Sequence, residues 1–158
     1  MTREDQKIKF AVIGAGHIGK RHAEMIRRDE ESELVAMVDV RSKEECDADH
    51  FDVPFFKTVD ELINSEVEFD VANICTPNGL HAEQSLKAIE ANKHVVCEKP
   101  MGLTKDNCEK VIFKSLQRSK NVFCVMQNRY SPPSEWIKSI IEEKKLGKTF
   151  MVQLNCYW

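Results

Sequence analysis

Short apolar runs alternate with amphipathic segments along the chain. Lys7–Ile13, Leu34–Val40, Val71–Cys75, Lys93–Cys97 and Asn121–Met126 are rich in Val, Ile and other apolar residues. Runs of this length, apolar at successive positions, predict strands buried on both faces of a sheet. Phe55-Phe56, after Pro54, predicts one more short strand. Helical patterns lie between them. His17–Asp29 places Ile18, His22, Met25 and Ile26 at spacings of three and four. Ser42 with Glu45 three residues on predicts the start of a short polar helix, and Thr58 with Glu61 predicts a capped helix over Val59–Asn64. Asn78–Ala91 carries Ala82, Leu86 and Ile89 on one flank. Thr104–Ser119, capped by Thr104, directs Val111, Ile112 and Leu116 inward. Ser134–Lys145 predicts a helix that Gly147 ends, and Thr149–Tyr157 a further strand. Strands separated by helices of about 10–15 residues predict βαβ units. The expected fold is α/β, a Rossmann-type doubly wound parallel sheet with helices on both faces.

Composition narrows the class. The chain has 158 residues, 42% hydrophobic and 31% charged, values of an ordinary globular domain. A net charge of −3 with scattered Lys and Arg argues against a nucleic-acid partner. No apolar stretch approaches the ~20 residues that cross a bilayer, and the polar opening MTREDQK is not a secretory signal. None of the six cysteines forms a C-x-x-C pair, and Cys75, Cys97, Cys124 and Cys156 fall in strand-like runs. They read as reduced, buried thiols of a cytoplasmic protein rather than as metal ligands.

Candidate chemistry begins where the first strand ends. Gly14-Ala15-Gly16-His17-Ile18-Gly19 joins a strand to a helix, the context that gives G-x-G-x-x-G its meaning. Gly14 permits the tight turn, Gly16 lets a pyrophosphate approach the backbone, and Gly19 lets helix and strand pack closely. His17 and Ile18 open a helix whose free N–H groups favour phosphate. Asp39 closes the second strand, about 20 residues beyond the glycines, where a carboxylate accepts the hydroxyls of the adenosine ribose. That favours NAD. Arg41 leaves NADP possible, since an arginine there can pair a 2′-phosphate or stack on adenine.

Ligands of open α/β sheets sit beyond the carboxyl ends of the strands. The fourth strand ends in Thr76-Pro77-Asn78 followed by His81, and the fifth in Glu98-Lys99-Pro100. Asn78 either caps the next helix or joins Thr76 and His81 in the wall beside the cofactor, and His81, at position four of that helix, equally reads as a surface histidine. Asn128-Arg129 follows the sixth strand, where an ordinary loop leads into Pro132-Pro133.

Together these residues resemble the Gfo/Idh/MocA oxidoreductases, the family of glucose-fructose oxidoreductase and inositol dehydrogenase. The resemblance rests on Gly14 to Gly19 with His22, Asp39, Thr76-Pro77-Asn78 with His81, and Glu98-Lys99-Pro100. It implies an NAD-dependent dehydrogenase acting on a secondary alcohol of a sugar, cyclitol or nucleotide sugar. It implies that Lys99 stands at the nicotinamide ribose and the substrate hydroxyl, where an ammonium helps the proton leave. Glu98 would hold the cofactor side, Asn128 and Arg129 would join the cleft, and Pro100 would follow a cis bond. The same resemblance implies a Rossmann domain over residues 1–148, with 149–158 starting a second α/β domain that carries an acid/base histidine and mediates homo-oligomerisation. A non-catalytic dinucleotide sensor, or a double-bond reductase of similar fold, is the alternative.

Overall fold

The computed structural model describes residues 7–155 and divides into two compact units, one ending at Val125 and one starting at Met126. In the first unit β1 (Ile8–Ile13), β2 (Ser32–Val38), β3 (Phe55–Phe56), β4 (Val71–Ile74), β5 (His94–Cys97) and β6 (Val122–Cys124) form one sheet. Its order is β3-β2-β1-β4-β5-β6, and every pairing is parallel. The chain winds outward from β1 to β3, returns to β4 beside β1, and winds outward again. The doubly wound sheet expected from the sequence is therefore present, with its switch point between β1 and β4.

Alternate side chains of the strands feed two cores. Ala11, Ile13, Ala72, Ile74, Val95 and Cys97 face α2 (Val59–Ile63), α3 (His81–Glu90) and α4 (Lys105–Gln117), burying Leu62, Ala88, Ile89 and Val111 among them. Val12 and Met37 point the other way, into a core with Ala23 and Ile26 of α1 (His17–Arg28) and with Phe51. Thr58 and Thr104 cap α2 and α4, accepting the amides of Glu61 and Asn107 at 3.1 and 3.2 Å.

Several local expectations are corrected. On α1 the inward residues are Gly19, Ala23 and Ile26, while Ile18 and Met25 are exposed. A small-residue stripe faces the sheet because β1 and the glycine turn approach too closely for larger side chains. On α4 Val111 and Ser115 are buried, but Ile112 and Leu116 are exposed, so the face is turned from the one read off the spacing. Ser42 and Glu45 do form the reciprocal capping bonds, at 3.2 and 2.7 Å, yet they close a turn and not a helix. Asn78 does not cap α3. It opens a single 3-10 turn, Asn78–Leu80, that precedes the helix.

The second unit holds a 3-10 turn, Gln127–Tyr130, and α5 (Pro132–Glu142). This helix starts two residues earlier than expected, because proline at the first helical positions lacks only an amide that has no partner there. It stops before Gly147, which adopts φ +67° further along. Residues 149–155 are not a strand, and Cys156 to Trp158, the rest of that expected strand, lie outside the described residues. Among the described residues no helix is long and apolar enough to cross a membrane.

Candidate functional site

The carboxyl ends of β1, β2, β4 and β5 are laced together by backbone bonds. The Gly14 amide donates to Val38 O and the Cys75 amide to Ile13 O, both at 2.7 Å, and the Glu98 amide donates to Ile74 O at 2.9 Å. Gly14 turns with φ +98°, and a Cβ there would meet the Cys75 carbonyl carbon at 2.7 Å and the Thr76 nitrogen at 2.8 Å. At Gly19 a Cβ would overlap the Gly14 carbonyl oxygen. Gly16 differs from both, since a Cβ there would meet nothing within 4 Å. The glycines thus divide as the sequence implies: two hold the turn against the sheet, and the middle one leaves open space above it. Gly16 also stands at the start of α1, where no side chain caps the helix and no acidic residue occupies the first turn. His17 and Ile18 are exposed there. A helix start with uncapped amides beside a glycine cradle fits a pyrophosphate.

Asp39 lies one residue past β2. Its Oδ2 accepts the Ala15 amide at 2.9 Å, which ties it to the glycine turn. Its Oδ1 accepts the Arg41 amide and Nε, both at 3.0 Å, and Oδ2 also accepts Arg41 Nη2 at 3.0 Å. Burial of this carboxylate acts to raise its pKa, but the bonds from Arg41 and Ala15 outweigh burial and hold it below the ordinary aspartate value. Asp39, Arg41, Lys57, Thr76, Pro77 and Gln84 line a depression of about 420 Å³. A carboxylate, a cation and apolar wall at this place suit a ribose and an adenine ring. A larger depression of about 680 Å³ lies against the sheet face and is lined by residues such as Phe10, Val96 and Phe123. It takes in Lys7, Asp70, His94 and Asn121, at the amino ends of the strands, and so lies away from the end where such sheets bind ligands.

Beyond β4 and β5 the polar groups form a connected set. His22 Nε2 lies 3.0 Å from Glu98 Oε1, and His22 Nδ1 lies 3.3 Å from Asn73 Nδ2. The tautomer with its proton on Nε2 satisfies both contacts, accepting from the amide and donating to the carboxylate. Glu98 Oε2 accepts the Lys99 amide at 3.1 Å. Lys99 itself is exposed, and among the described residues no carboxylate pairs with its ammonium. The Lys99–Pro100 bond is cis. Thr76 Oγ1 donates to Gln84 Oε1 at 2.6 Å, while Pro77 and Asn78 are exposed on the rim.

His81 is placed differently from the expected cofactor contact. It is 1% exposed, with Nδ1 2.7 Å from Pro100 O and Nε2 2.7 Å from Thr76 O. Both ring nitrogens face carbonyl oxygens at hydrogen-bond distance. His81 therefore straps the turn after β4 to the turn after β5, and its ring offers nothing to a ligand. Asn128 and Arg129 belong to the second unit, where they border a shallow depression with Tyr130, Ser134 and Lys138. Asn73, Lys57 and Gln84 escaped the sequence reading. Asn73 had a legible signal: it is the one amide in the otherwise apolar strand Val71–Ile74. Lys57 and Gln84 had none, because only the pairing of β3 with β2 and the placement of α3 bring them to the depression beside Asp39 and Thr76.

A family model described as an oxidoreductase family with an NAD-binding Rossmann fold matches residues 8–127. Glucose-6-phosphate 3-dehydrogenase of Bacillus subtilis is 32% identical over 150 residues, covering 93% of this chain and 41% of that protein. Inositol 2-dehydrogenase of Salmonella typhimurium is 28% identical over 155 residues, covering 95% and 46%. The solved WlbA dehydrogenase of Bordetella pertussis, in complex with NADH and UDP-GlcNAcA, is 27% identical with a TM-score of 0.83 over 90% of this chain and 44% of that one. The chain spans about half the length of the curated relatives it matches.

Proposed function

The chain belongs to the Gfo/Idh/MocA oxidoreductase family, and we propose that it forms the cofactor-binding part of an NAD-dependent dehydrogenase of sugar-type secondary alcohols. The observation that carries this reading is a convergence at one end of the sheet. The glycine turn, Asp39 and Glu98-Lys99 stand at the carboxyl ends of β1, β2 and β5, with β4 closing the gap between them. The bound dinucleotide supplies the hydride acceptor.

The remaining steps fall to side chains of this chain. The Gly16 backbone and the first amides of α1 hold the pyrophosphate. Asp39 accepts the adenosine ribose hydroxyls in place of the Arg41 side chain that it holds in the free chain, and Thr76, Pro77 and Asn78 form the wall toward the nicotinamide. Lys99 binds the substrate oxygen and favours its loss of a proton, because an ammonium stabilises the developing alkoxide. Glu98, held by His22 and by the Lys99 amide, fixes the backbone from which that ammonium projects. A hexose phosphate, a cyclitol or a nucleotide sugar supplies the alcohol, as the names of the relatives suggest. Five free cysteines among the described residues accord with a reducing, cytoplasmic setting.

Titration with NADH tests the reading directly. Binding that Asp39→Ala weakens is the expected result, and absence of binding would overturn it. In the protein with its full catalytic apparatus, Lys99→Ala should slow hydride transfer by ~100-fold or more while NADH still binds. Unchanged turnover would remove Lys99 from the mechanism.

A further inference from the structure

The two edges of the sheet are finished differently. Strand β3 is short, follows Pro54 and runs into Lys57, and a proline and a charge both discourage further pairing. At the opposite edge β6 reads Val122-Phe123-Cys124, with neither device. Among the described residues no strand pairs beyond it. Asn121 O accepts the Val95 amide, and the Val125 amide donates to Cys97 O. Alternate residues of a parallel ladder bond to one neighbour, so Phe123 also turns its amide and carbonyl toward β5. Val122 and Cys124 are left with theirs directed outward.

Apolar side chains flank this open backbone on both sides. Val111 packs α4 onto Val95 and Cys97 of β5. Lys114 pairs with Glu90 of α3 at 3.2 Å, which marks the flank of α4 that faces α3. Ile112 and Leu116 lie about 160° round the helix from Lys114, on the flank over the β6 edge. Both are exposed, Leu116 by 75%. On the other face of the sheet Phe123, in register with Val96, is 59% exposed. The charges at the start of the α4 flank, Lys105 and Glu109, pair with each other at 3.3 Å.

We propose that this edge joins a second copy of the chain: two β6 strands pair antiparallel about a two-fold axis through Phe123, and the two α4 flanks close over the junction. The segment is complementary to itself. Val122 of one copy stands opposite Cys124 of the other, and each supplies the donor and the acceptor that its partner lacks. Phe123 meets its own copy at a non-hydrogen-bonded position, with Cα atoms about 4.5 Å apart, where aromatic pairs stabilise a sheet. The same axis sets the two α4 helices antiparallel. Ile112 and Leu116 then form an apolar seam, and Glu109 of one copy reaches the margin where the other carries Lys120. The contact is isologous and closes as a dimer, with the two six-stranded sheets continuous across it. It does not depend on the cofactor-binding function.

The experiment is sedimentation velocity on the wild-type chain, Phe123→Lys and Leu116→Lys over about 1–100 μM, a range that brackets a modest interface. The wild-type chain should pass from monomer to dimer. Each variant places two ammonium groups in the junction and should weaken it by about 100-fold. Both positions are exposed, so the melting temperatures should match wild type. A separate trap is Phe123→Cys in a Cys124→Ser background. Its thiols meet across the axis at a Cα spacing that a disulfide accepts, so oxidised glutathione should link the chains into a dimer. A wild-type chain that stays monomeric over the whole range would overturn the proposal. A dimer that survives both lysine variants and is not trapped by the Phe123→Cys disulfide would remove β6 as the interface. Assemblies that grow beyond the dimer would refute the closed two-fold.

Discussion

Gly16 and Gly19 are three residues apart in one turn, and alanine at each should fail in a different way. At Gly19 the added Cβ would overlap the Gly14 carbonyl oxygen, lie 2.9 Å from the Gly14 carbonyl carbon, and touch Val12 Cγ1 at 3.4 Å. The obstacle is backbone and cannot rotate aside. Nor can Gly14 retreat, since it already packs against the Cys75–Thr76 peptide. Relief requires α1 to move away from β1 by on the order of 1 Å to restore ordinary contact distance. That movement loosens the packing of Ala23 and Ile26 against Val12 and Met37. Overpacking of a tight site costs about 1–3 kcal/mol, and a backbone clash belongs at the upper end. For a domain of this size that is a fall in Tm of roughly 10 °C. Gly16→Ala meets nothing within 4 Å and keeps an ordinary negative φ of −71°, so its Tm should stay within about 2 °C of wild type. Its NADH affinity should nevertheless fall about tenfold or more, because the methyl occupies the space where the pyrophosphate meets the backbone. Differential scanning fluorimetry and NADH titration of both variants separate the two effects. Wild-type NADH binding by Gly16→Ala would refute the phosphate position. A wild-type Tm for Gly19→Ala would refute the close approach of α1 to β1.

Three further outcomes follow from the same geometry. His22→Leu should destabilise the fold by about 1–3 kcal/mol, since it strands the Asn73 amide and the Glu98 carboxylate without their partner, and His22→Gln, which keeps a donor, should recover part of the loss in urea denaturation. The depressed pKa of Asp39 sets a sign: its stabilising contribution is complete above the unfolded value of about 3.9 and is lost as pH falls through the lower folded value. The stability difference between wild type and Asp39→Asn should therefore be constant at neutral pH and vanish only in strong acid; a change near neutrality would contradict it. Burial pushes the Cys75 thiol to about 12 and the Cys97 thiol to about 11, so both should resist iodoacetamide at neutral pH in the native chain and react once it is unfolded, as peptide mass mapping would record.

The alternation of short apolar runs with helical patterns was enough to determine the parallel, doubly wound sheet, because a strand buried on both faces has no polar side to present to water. The glycine spacing and Asp39 were legible for a related reason. A turn that brings a helix and two strand ends within contact distance tolerates no side chain at Gly14 or Gly19, so those positions are written directly in the residue types. Periodicity failed on α1 and α4, where Ile18, Met25, Ile112 and Leu116 carry the helical spacing yet are exposed. Spacing says which residues share a face, but only the distance between helix and sheet says which face fits. The role of His81 was likewise out of reach. A histidine at the fourth position of a helix reads equally as a ligand contact or a surface residue until folding closes the turns after β4 and β5 over it and places a carbonyl at each ring nitrogen. The meeting of His22 with Asn73 and Glu98 across 51 and 76 residues, and the saturation of Asp39 by Arg41, were decided by tertiary structure alone. Hydrogen-bond capacity belongs to each residue in the sequence, but which donor reaches which lone pair is a matter of distances that exist only once the strands have paired.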